Sequence, residues 1–558
     1  MDQFFRISLL YILALIRIET IISQSQLYSI DVSNKIIGPM TPIWAYFGYD
    51  EANYTTMKDG KKLLSELSAL SPVPVYIRTH NLLTSGDGKA SLKWSSTNAY
   101  SEDSIGNPFY NWTIIDSIFD ELVKRKMKPL VEIGFMPKAL SVKPEPYRHD
   151  WPKTFATGWA YPPKDYYKWS ELIFQWVTHC ISRYGKVEVE TWLWEVWNEP
   201  NIMYWQGTLE EYFKLYDFAA NGLKRACLNA KIGGPHCTGP SWNKSAEFLT
   251  LFLNHCLTGI NYATGKTGSP LDYIGFHAKG SVSLEANDKH IRMSIGNQLR
   301  DIDAGFKIVA SFPQLKNKPI ILGESDPDAC AACSAQSFPQ YAYRNGTVFS
   351  CYVAAAFART YALADFYNVK LLGAVTWSFE FEDQPYFAGF RDLATNGIDK
   401  PVLNVFRMFG MMKGNRVAIS VNPSIEFSIV RDSSIRKKPD VNALACRDTN
   451  SVSVMIWNYH DDNLPANDAL IELKIKDLPN QKINIKQYRI DKEFSSSYEV
   501  WENMGSPQKP TREQYMKLQD AGQLKLYENP TSEIPENNEL ILKTNLPRHA
   551  VSLFQLTW

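Results

Sequence analysis

The sequence predicts an α/β protein in which a (β/α)8 barrel, a TIM barrel, is followed by a C-terminal β-sandwich domain. From about residue 40 to residue 412, short apolar stretches alternate with longer stretches of helical spacing, which is the pattern of β/α units. Eight such apolar stretches can be counted, and eight parallel strands joined by right-handed helical crossovers close into a barrel. After Met412 the helical spacing gives way to alternating strands, which indicates a sandwich.

Each element follows from its apolar periodicity. The barrel strands are predicted over residues 43–49, 73–79, 129–135, 191–198, 231–235, 273–277, 319–324 and 372–379. Amphipathic helices are predicted over residues 57–70, 114–127, 166–184, 209–226 and 347–367. Sandwich strands are predicted over residues 419–430, 452–459, 470–475, 483–489 and 550–556.

The predicted boundaries divide the chain into a signal segment (1–25), an N-terminal strand segment (26–40), the barrel (41–412) and the sandwich (413–558). We expect the N-terminal strand to join the sandwich. Since no low-complexity linker separates barrel and sandwich, the two are expected to pack as one rigid body.

Composition excludes several classes of protein. Hydrophobic residues make up 45% and charged residues 21% of the 558, which excludes a disordered chain. Lys plus Arg and Asp plus Glu both number 59, so nothing favours nucleic acid or a membrane surface as a partner. Sixteen tryptophans and 29 tyrosines fill a core and also offer flat faces on which sugar rings can stack.

The N-terminus has the pattern of a secretory signal peptide. Arg6 precedes a mainly apolar stretch, residues 7–16, which ends too early at Arg17 and Glu19 for a membrane-spanning helix. A secreted or periplasmic protein is therefore expected, with an uncleaved anchor as the alternative. No other membrane contact is expected, and no hydrophobic stripe indicates an oligomeric state.

The eight cysteines are too few for a disulfide scaffold. Cys330 and Cys333 form a C-x-x-C without a second pair at zinc-site spacing, so we expect a local disulfide or two free thiols rather than a metal site. No metal or cofactor is predicted. Acceptor sequons for N-glycosylation occur at Asn53, Asn111, Asn243 and Asn345.

Two glutamates end apolar strands in the same way. Glu199 follows an aromatic run at residues 192–197 and precedes Pro200, which forces the chain into a loop. Glu324 ends the apolar run 319–323. Because they terminate the fourth and seventh predicted strands, both carboxylates are expected at the mouth of the barrel, where such enzymes keep their catalytic residues. A pair of carboxylates facing one cavity is the minimum equipment for glycoside hydrolysis.

The motif Asn198-Glu199-Pro200 resembles the acid/base signature of a clan of (β/α)8 retaining glycosidases whose catalytic residues lie on strands four and seven. In detail the chain resembles glycoside hydrolase family 39, which holds β-xylosidases and α-L-iduronidases. The likeness covers most of the mature chain. It includes residues 78–83 (RTHNLL), 275–277 (GFH), 488–491 (YRID) and 504–507 (MGSP).

The resemblance implies that Glu199 is the general acid/base, that Glu324 is the nucleophile, and that Asn198 donates to the sugar 2-hydroxyl. Further substrate-binding residues are expected at the strand ends, although a buried core role is the alternative for the histidines and the tryptophan. These residues are Arg78 (expected to orient a catalytic carboxylate), His80, His277, Lys279, Trp377 (the floor beneath the sugar) and Glu382, which lies in a polar loop with Glu380 and Asp383.

The predicted function is removal of terminal β-D-xylosyl residues from oligosaccharides by double displacement. Lys279, in residues 277–280 (HAKG), resembles the iduronidase branch and could face a substrate carboxylate, with Arg391 as a second cation. The blocks 497–501 (SYEVW) and 505–507 (GSP) look more like the xylosidase branch. An iduronidase-like or other glycosidase of the family, and a catalytically silent carbohydrate-binding protein, remain the alternatives.

Overall fold

The computed structural model describes residues 25–92, 94–148 and 156–558. Apart from Ser25, the predicted signal segment lies outside the described residues. The described chain forms a barrel and a separate sheet, and the predicted combination of barrel and sandwich is confirmed.

Eight parallel strands form the barrel, each paired with the next in chain order. The eighth strand closes the circle because its first part, Lys370–Ala374, pairs with the seventh strand and its second part, Thr376–Trp377, pairs with the first. The other seven barrel strands are Tyr46–Tyr49, Tyr76–Thr79, Lys128–Ile133, Leu193–Val196, Lys231–Cys237, Tyr273–Lys279 and Pro319–Asp326.

A helix follows each barrel strand and covers its outer face, as a right-handed crossover requires. The helices are Lys58–Ser68, Thr113–Val123, Tyr166–Tyr184, Leu209–Ala226, Asn243–Thr258, Ile295–Ala310, Thr347–Tyr367 and Pro401–Met411. The local sequence determines where several of these helices begin. The Asp165 carboxylate accepts from the backbone N–H groups of Tyr167 and Lys168, and Thr208 forms a capping box with Glu211.

Helix Thr347–Tyr367 is long and apolar enough to cross a membrane by composition, and no other helix of the described ranges meets that test. Its residues are almost all buried because it packs between the barrel and the sandwich. Arg359 from this helix forms an ion pair with Asp440 of the sandwich at 2.7 Å, and the Trp457 indole donates to the same carboxylate at 2.8 Å. One cluster of buried apolar side chains also extends from the barrel into the sandwich.

The sandwich is one ten-stranded mixed sheet that folds over its own apolar core. The N-terminal strand Leu27–Pro39 lies inside it, antiparallel to Asn415–Asn422 and parallel to Ala469–Ile475. The remaining long strands are Asp440–Asp448, Ser451–Tyr459, Ile483–Ile490, Leu540–Leu546 and Val551–Thr557.

The predicted strand 419–430 is wrong in its second half. The strand runs from Asn415 to Asn422, and residues Phe427–Ser433 form a short helix. Pro423 ends the strand because it has no N–H to donate to a sheet. The helix then packs beside Ile295–Ala310, where the Arg300 guanidinium donates to the Arg431 carbonyl oxygen at 2.8 Å.

Cys330 and Cys333 form a disulfide, the first of the two predicted possibilities, and the other six cysteines are free and buried. The four N-glycosylation sequons differ in burial. Asn53 and Asn345 are buried with their amides bonded to backbone carbonyl groups, whereas Asn111 and Asn243 are exposed.

We predict that Asp440→Asn lowers the free energy of unfolding by about 3–5 kcal/mol, because it leaves the buried Arg359 cation without its counter-ion. Since the pair joins barrel and sandwich, thermal unfolding should remain one cooperative transition at a lower Tm. Asp448→Asn, at the exposed end of the same strand, is the control and should change Tm little. Two separate calorimetric transitions, with that of the barrel unchanged, would contradict this coupling.

Candidate active site

Most of the predicted site residues meet at the carboxyl end of the barrel. Two others make contacts other than those predicted. The second, fourth, sixth, seventh and eighth strands all contribute. The residues that come together are Arg78 and His80, Asn198 and Glu199, His277 and Lys279, Glu324, and Trp377.

Glu199 and Glu324 face each other across this end of the barrel. One carboxylate oxygen from each, together with a ring nitrogen of His277, all lie within 4.8 Å of one another. The side chain of Glu199 is 15% exposed and that of Glu324 is 8% exposed, so both are nearly enclosed but reachable. The backbone of Glu199 has a left-handed φ of 43° and its N–H donates to the His236 carbonyl oxygen at 3.0 Å, which fixes the acid's position.

Arg78 is the buried centre of the site. Its guanidinium donates to Glu195 at 2.6 Å, to Glu132 at 2.8 Å, and to Glu324 and Asn198 at 3.1 Å each. Burial acts to lower the Arg78 pKa, but the three carboxylates outweigh it and hold that pKa above its usual value. Arg78 therefore contacts the carboxylate of Glu324. It also contacts the amide of Asn198, the residue that precedes Glu199.

Two cations and one histidine surround the Glu324 carboxylate. The Lys279 ammonium lies 2.6 Å from it, Arg78 3.1 Å, and the His277 Nδ1 atom 3.7 Å. Burial acts to raise the Glu324 pKa, yet the charges of Lys279, His277 and Arg78 prevail and hold it well below the usual range. Glu324 is therefore an anion throughout the neutral range.

The surroundings of Glu199 are different. Its carboxylate contacts His277 Nδ1 at 2.8 Å, while the other ring nitrogen of His277 is buried without a hydrogen-bond partner. No Lys or Arg forms an ion pair with Glu199 among the described residues. The two carboxylates thus differ in their electrostatics, which suits two different chemical roles.

Lys279 is shared between two acids. Besides Glu324, its ammonium contacts Asp326 at 2.5 Å, and Asp326 also accepts from the Trp377 backbone N–H at 2.9 Å. The two carboxylates balance the charge of Lys279 in the unliganded site. Asp326 is the next inward-facing residue after Glu324 on the seventh strand, because side chains alternate along a strand.

Trp377 and His80 form the layer behind the carboxylates. The Trp377 indole donates to Asp50 at 3.0 Å, and the Arg78 guanidinium lies 4.7 Å from its ring centre. His80 sits between Asp50, at 3.0 Å, and Glu132, at 3.3 Å. Both side chains are almost fully buried, and burial lowers the His80 pKa. They support the site from beneath.

Two predictions are corrected. Glu382 was expected to bind substrate, but its carboxylate caps helix Lys58–Ser68 by accepting from the Asp59 N–H at 2.9 Å and the Gly60 N–H at 3.4 Å. Arg391 was considered as a second substrate cation, but it is fully buried and donates to Asp328 and to the Trp377 carbonyl oxygen. Neither side chain contacts Glu199 or Glu324.

Several important residues were not predicted. Glu132 and Glu195 lie within apolar strands and bind Arg78, while His236 contacts Glu195 at 2.7 Å. Burial acts to raise the Glu195 pKa, but Arg78 and His236 lower it to about 2. An acid inside an apolar run is itself a signal, because a buried carboxylate requires a partner.

Glu199, His277 and Glu324 are close enough together to bind a metal ion. The chemistry of the site opposes this, because Lys279 and Arg78 already neutralise Glu324 and would repel a further cation. The residues therefore fit acid/base and nucleophilic chemistry better than metal binding.

A (β/α)8 barrel with paired carboxylates at the ends of its fourth and seventh strands defines a glycosidase architecture. The model of the glycosyl hydrolases family 39 matches residues 28–537, and the chain belongs to that family and is a glycosidase.

The chain is similar to relatives of both kinds. A β-xylosidase of Caldicellulosiruptor saccharolyticus is 29% identical over 462 residues, covering 79% of this chain and 82% of its own. An α-L-iduronidase of Mus musculus is 24% identical over 548 residues, covering 91% and 77%. The solved structure of a monomeric β-xylosidase from Caulobacter crescentus CB15 superposes with a TM-score of 0.74 at 20% identity, covering 96% and 99%.

We predict that Lys279→Met raises the Glu324 pKa by removing the nearest positive charge. A nucleophilic Glu324 would have to be ionised, so the acid limb of the kcat/KM profile should then move to higher pH by about one unit or more. Lys486→Met, an exposed lysine of the sandwich, is the control and should leave the profile in place. An unmoved acid limb in Lys279→Met would show that Lys279 does not set this pKa.

Proposed function

We propose that the protein is a retaining exo-glycosidase that removes terminal β-D-xylosyl residues from oligosaccharides through a covalent glycosyl-enzyme. The observation that carries this proposal is the close approach of the Glu199 and Glu324 carboxylates, whose nearest oxygens lie within 4.8 Å. Retaining enzymes place the two carboxyl groups about 5–5.5 Å apart, whereas inverting enzymes need about 6.5–9.5 Å to admit a water molecule.

The electrostatics support a separate role for each glutamate. Glu324, kept anionic by Lys279 and Arg78, attacks C1 of the sugar and forms an ester bond as the bond from C1 to the leaving oxygen breaks. Glu199 gives its proton to that oxygen. In the second step Glu199 takes a proton from water, the water oxygen bonds to C1, and the ester to Glu324 breaks.

Asn198 is placed to assist. Its side-chain carbonyl oxygen accepts from Arg78 at 3.1 Å, so its amide N–H groups are left to donate to a sugar hydroxyl. A hydrogen bond to the 2-hydroxyl strengthens as the transition state develops. Arg78 thereby positions the amide beside the acid and the nucleophile with one guanidinium group.

The near enclosure of the carboxylates favours a terminal sugar over the interior of a chain. Aromatic side chains form a wall beside them, where the Trp94 and Tyr204 rings meet at 5.0 Å and Tyr204 meets Tyr147 at 6.0 Å. Burial raises the Tyr204 pKa well above its usual value, and the charges of Glu199 and Glu324 add to this, so Tyr204 stays neutral beside the carboxylates.

A terminal α-L-iduronide is the second candidate. It has the configuration of a β-D-xyloside from C1 to C4 and differs by the carboxylate on C5, so one catalytic pair can serve both sugars. Lys279, beside the nucleophile and 14% exposed, favours the iduronide. Xyloside is preferred because Asp326 and Glu324 already balance the Lys279 charge. A catalytically silent sugar-binding protein is disfavoured because both carboxylates and Asn198 are in place.

Azide should distinguish the two glutamates. Glu199→Ala and Glu324→Ala should each lose several orders of magnitude in kcat on an aryl β-D-xyloside. Azide should restore turnover in Glu199→Ala with a β-glycosyl azide product, because azide attacks the glycosyl-enzyme. In Glu324→Ala the product should be the α-glycosyl azide, because azide replaces the nucleophile. Exchanged products would reverse the roles, and near wild-type activity in either variant would exclude the mechanism.

A paired substrate assay tests the sugar. We expect kcat/KM to be higher for an aryl β-D-xyloside than for an aryl α-L-iduronide with the same leaving group. Lys279→Ala should lower both activities by a similar factor, because Lys279 acts through Glu324. A higher activity on the iduronide, lost selectively in Lys279→Ala, would instead assign the second candidate.

A further inference from the structure

A polar cleft in the sandwich domain has no part in the chemistry described above. Its volume is about 700 Å³, within the range of small-molecule sites. It is bounded by residues 463–468, by the turn after strand Ile483–Ile490, and by the link between strands Leu540–Leu546 and Val551–Thr557. A second cavity of about 370 Å³ shares Ala466, Asp468 and Arg548 with it, and the two adjoining cavities are together called the groove.

Arg548 lies where the two cavities meet. Among the described residues its guanidinium forms no ion pair and no side-chain hydrogen bond, and its Nε atom is buried without a partner. Burial lowers the Arg548 pKa, and Asp462 compensates only in part. A partly buried cation without an ion-pair partner is less well compensated than a paired one, and an anionic ligand would supply that partner.

Aromatic rings also line the cleft. Phe494 and Tyr527 are half-buried and meet edge to face at 5.2 Å. The Arg489 guanidinium, 1% exposed, stacks 4.0 Å from the Tyr527 ring centre and so holds that ring in place. Such rings are apolar surfaces against which the C–H face of a sugar can pack.

The acids of the cleft do not compensate Arg548. Asp491 accepts from the backbone N–H groups of Glu493 and Phe494 at 2.9 Å each and pairs with Arg489 at 3.4 Å, so its charge is already used. Asp468 lines both cavities but forms no ion pair with Arg548. The groove also offers a buried acceptor, since the Nδ1 atom of His549 has no hydrogen-bond partner.

We propose that this groove is a second carbohydrate site, which binds an acidic oligosaccharide with its carboxylate or sulfate group on Arg548 and a sugar ring on Phe494 and Tyr527. The groove begins near the catalytic end of the barrel. Asn463 at its edge donates to the Ile291 carbonyl oxygen at 2.9 Å, and Ile291 belongs to the hairpin that follows the sixth barrel strand. Binding there requires neither Glu199 nor Glu324, so it can be tested independently of the proposed function.

The test is a calorimetric titration of the full chain carrying Glu324→Gln, which prevents turnover. The ligands are a xylo-oligosaccharide with a uronate branch, a sulfated uronate disaccharide, neutral xylotetraose and sodium sulfate. We expect the acidic sugars to occupy one site more than xylotetraose does. Arg548→Gln should weaken that site by about tenfold or more, the loss expected for a charge-assisted hydrogen bond. Lys486→Gln, the same charge change on an exposed side chain, should have no effect.

Two further variants keep the test informative if Arg548→Gln alters the fold. Arg548→Lys retains the charge and should retain most of the binding, and Tyr527→Leu should weaken the sugars but not sulfate. The proposal is overturned if neutral and acidic sugars bind with equal number and affinity, or if Arg548→Lys loses as much as Arg548→Gln. Equal affinity for sulfate and the sugar acids would overturn the carbohydrate assignment. Activity of Arg548→Gln in a chain with intact Glu324, on a small aryl glycoside, should equal that of the wild type.

Discussion

The active site depends on the ion pairs of one buried guanidinium. Arg78 binds carboxylates from the third, fourth and seventh strands and the amide of Asn198, so it fixes those strand ends relative to each other. A fully buried Arg is tolerated only with several acids around it, and the acids are tolerated only because of the Arg. The cluster therefore stabilises itself as a unit, and loss of any member leaves an uncompensated charge under the catalytic pair.

Barrel closure and local charge make separate contributions to the site. Closure places the ends of strands four and seven opposite each other and brings their glutamates within reach of one sugar. Lys279 and Arg78 hold Glu324 as an anion, while among the described residues the ion-pair partner of Glu199 is His277. The two glutamates are the same type of side chain, and their different neighbours give them different electrostatics. The fold supplies the distance, and the neighbouring charges keep Glu324 ionised.

Much of this arrangement could be predicted from the sequence. Apolar runs that end in Glu199 and Glu324 mark the strands and the pair, because barrel strands are buried on both faces and their carboxyl ends share one mouth. Glu132 and Glu195 were overlooked because periodicity assigns such positions to the core and does not indicate which strand supplies a partner. Arg78 links them across distances that no local pattern records.

The errors have the same origin. Glu382 and Arg391 lie close to Trp377 in sequence, but tertiary packing turns one toward a helix N-terminus and the other toward Asp328. The segment Phe427–Ser433 contains β-branched residues, which favour a strand. In the structure it is a helix that packs beside another helix, a contact that the local sequence does not record. The sugar that we propose depends on how Lys279 is read, and its charge is balanced by neighbours that lie far from it in sequence.

The stereochemistry of the first-formed product tests the central claim most directly, because it reports whether one or two displacements occur at C1. Proton NMR during hydrolysis of an aryl β-D-xyloside by the wild-type protein should show β-xylose first, followed by slow mutarotation to the α form. Initial appearance of α-xylose would mean a single displacement by water, which would contradict the account of Glu324 as nucleophile.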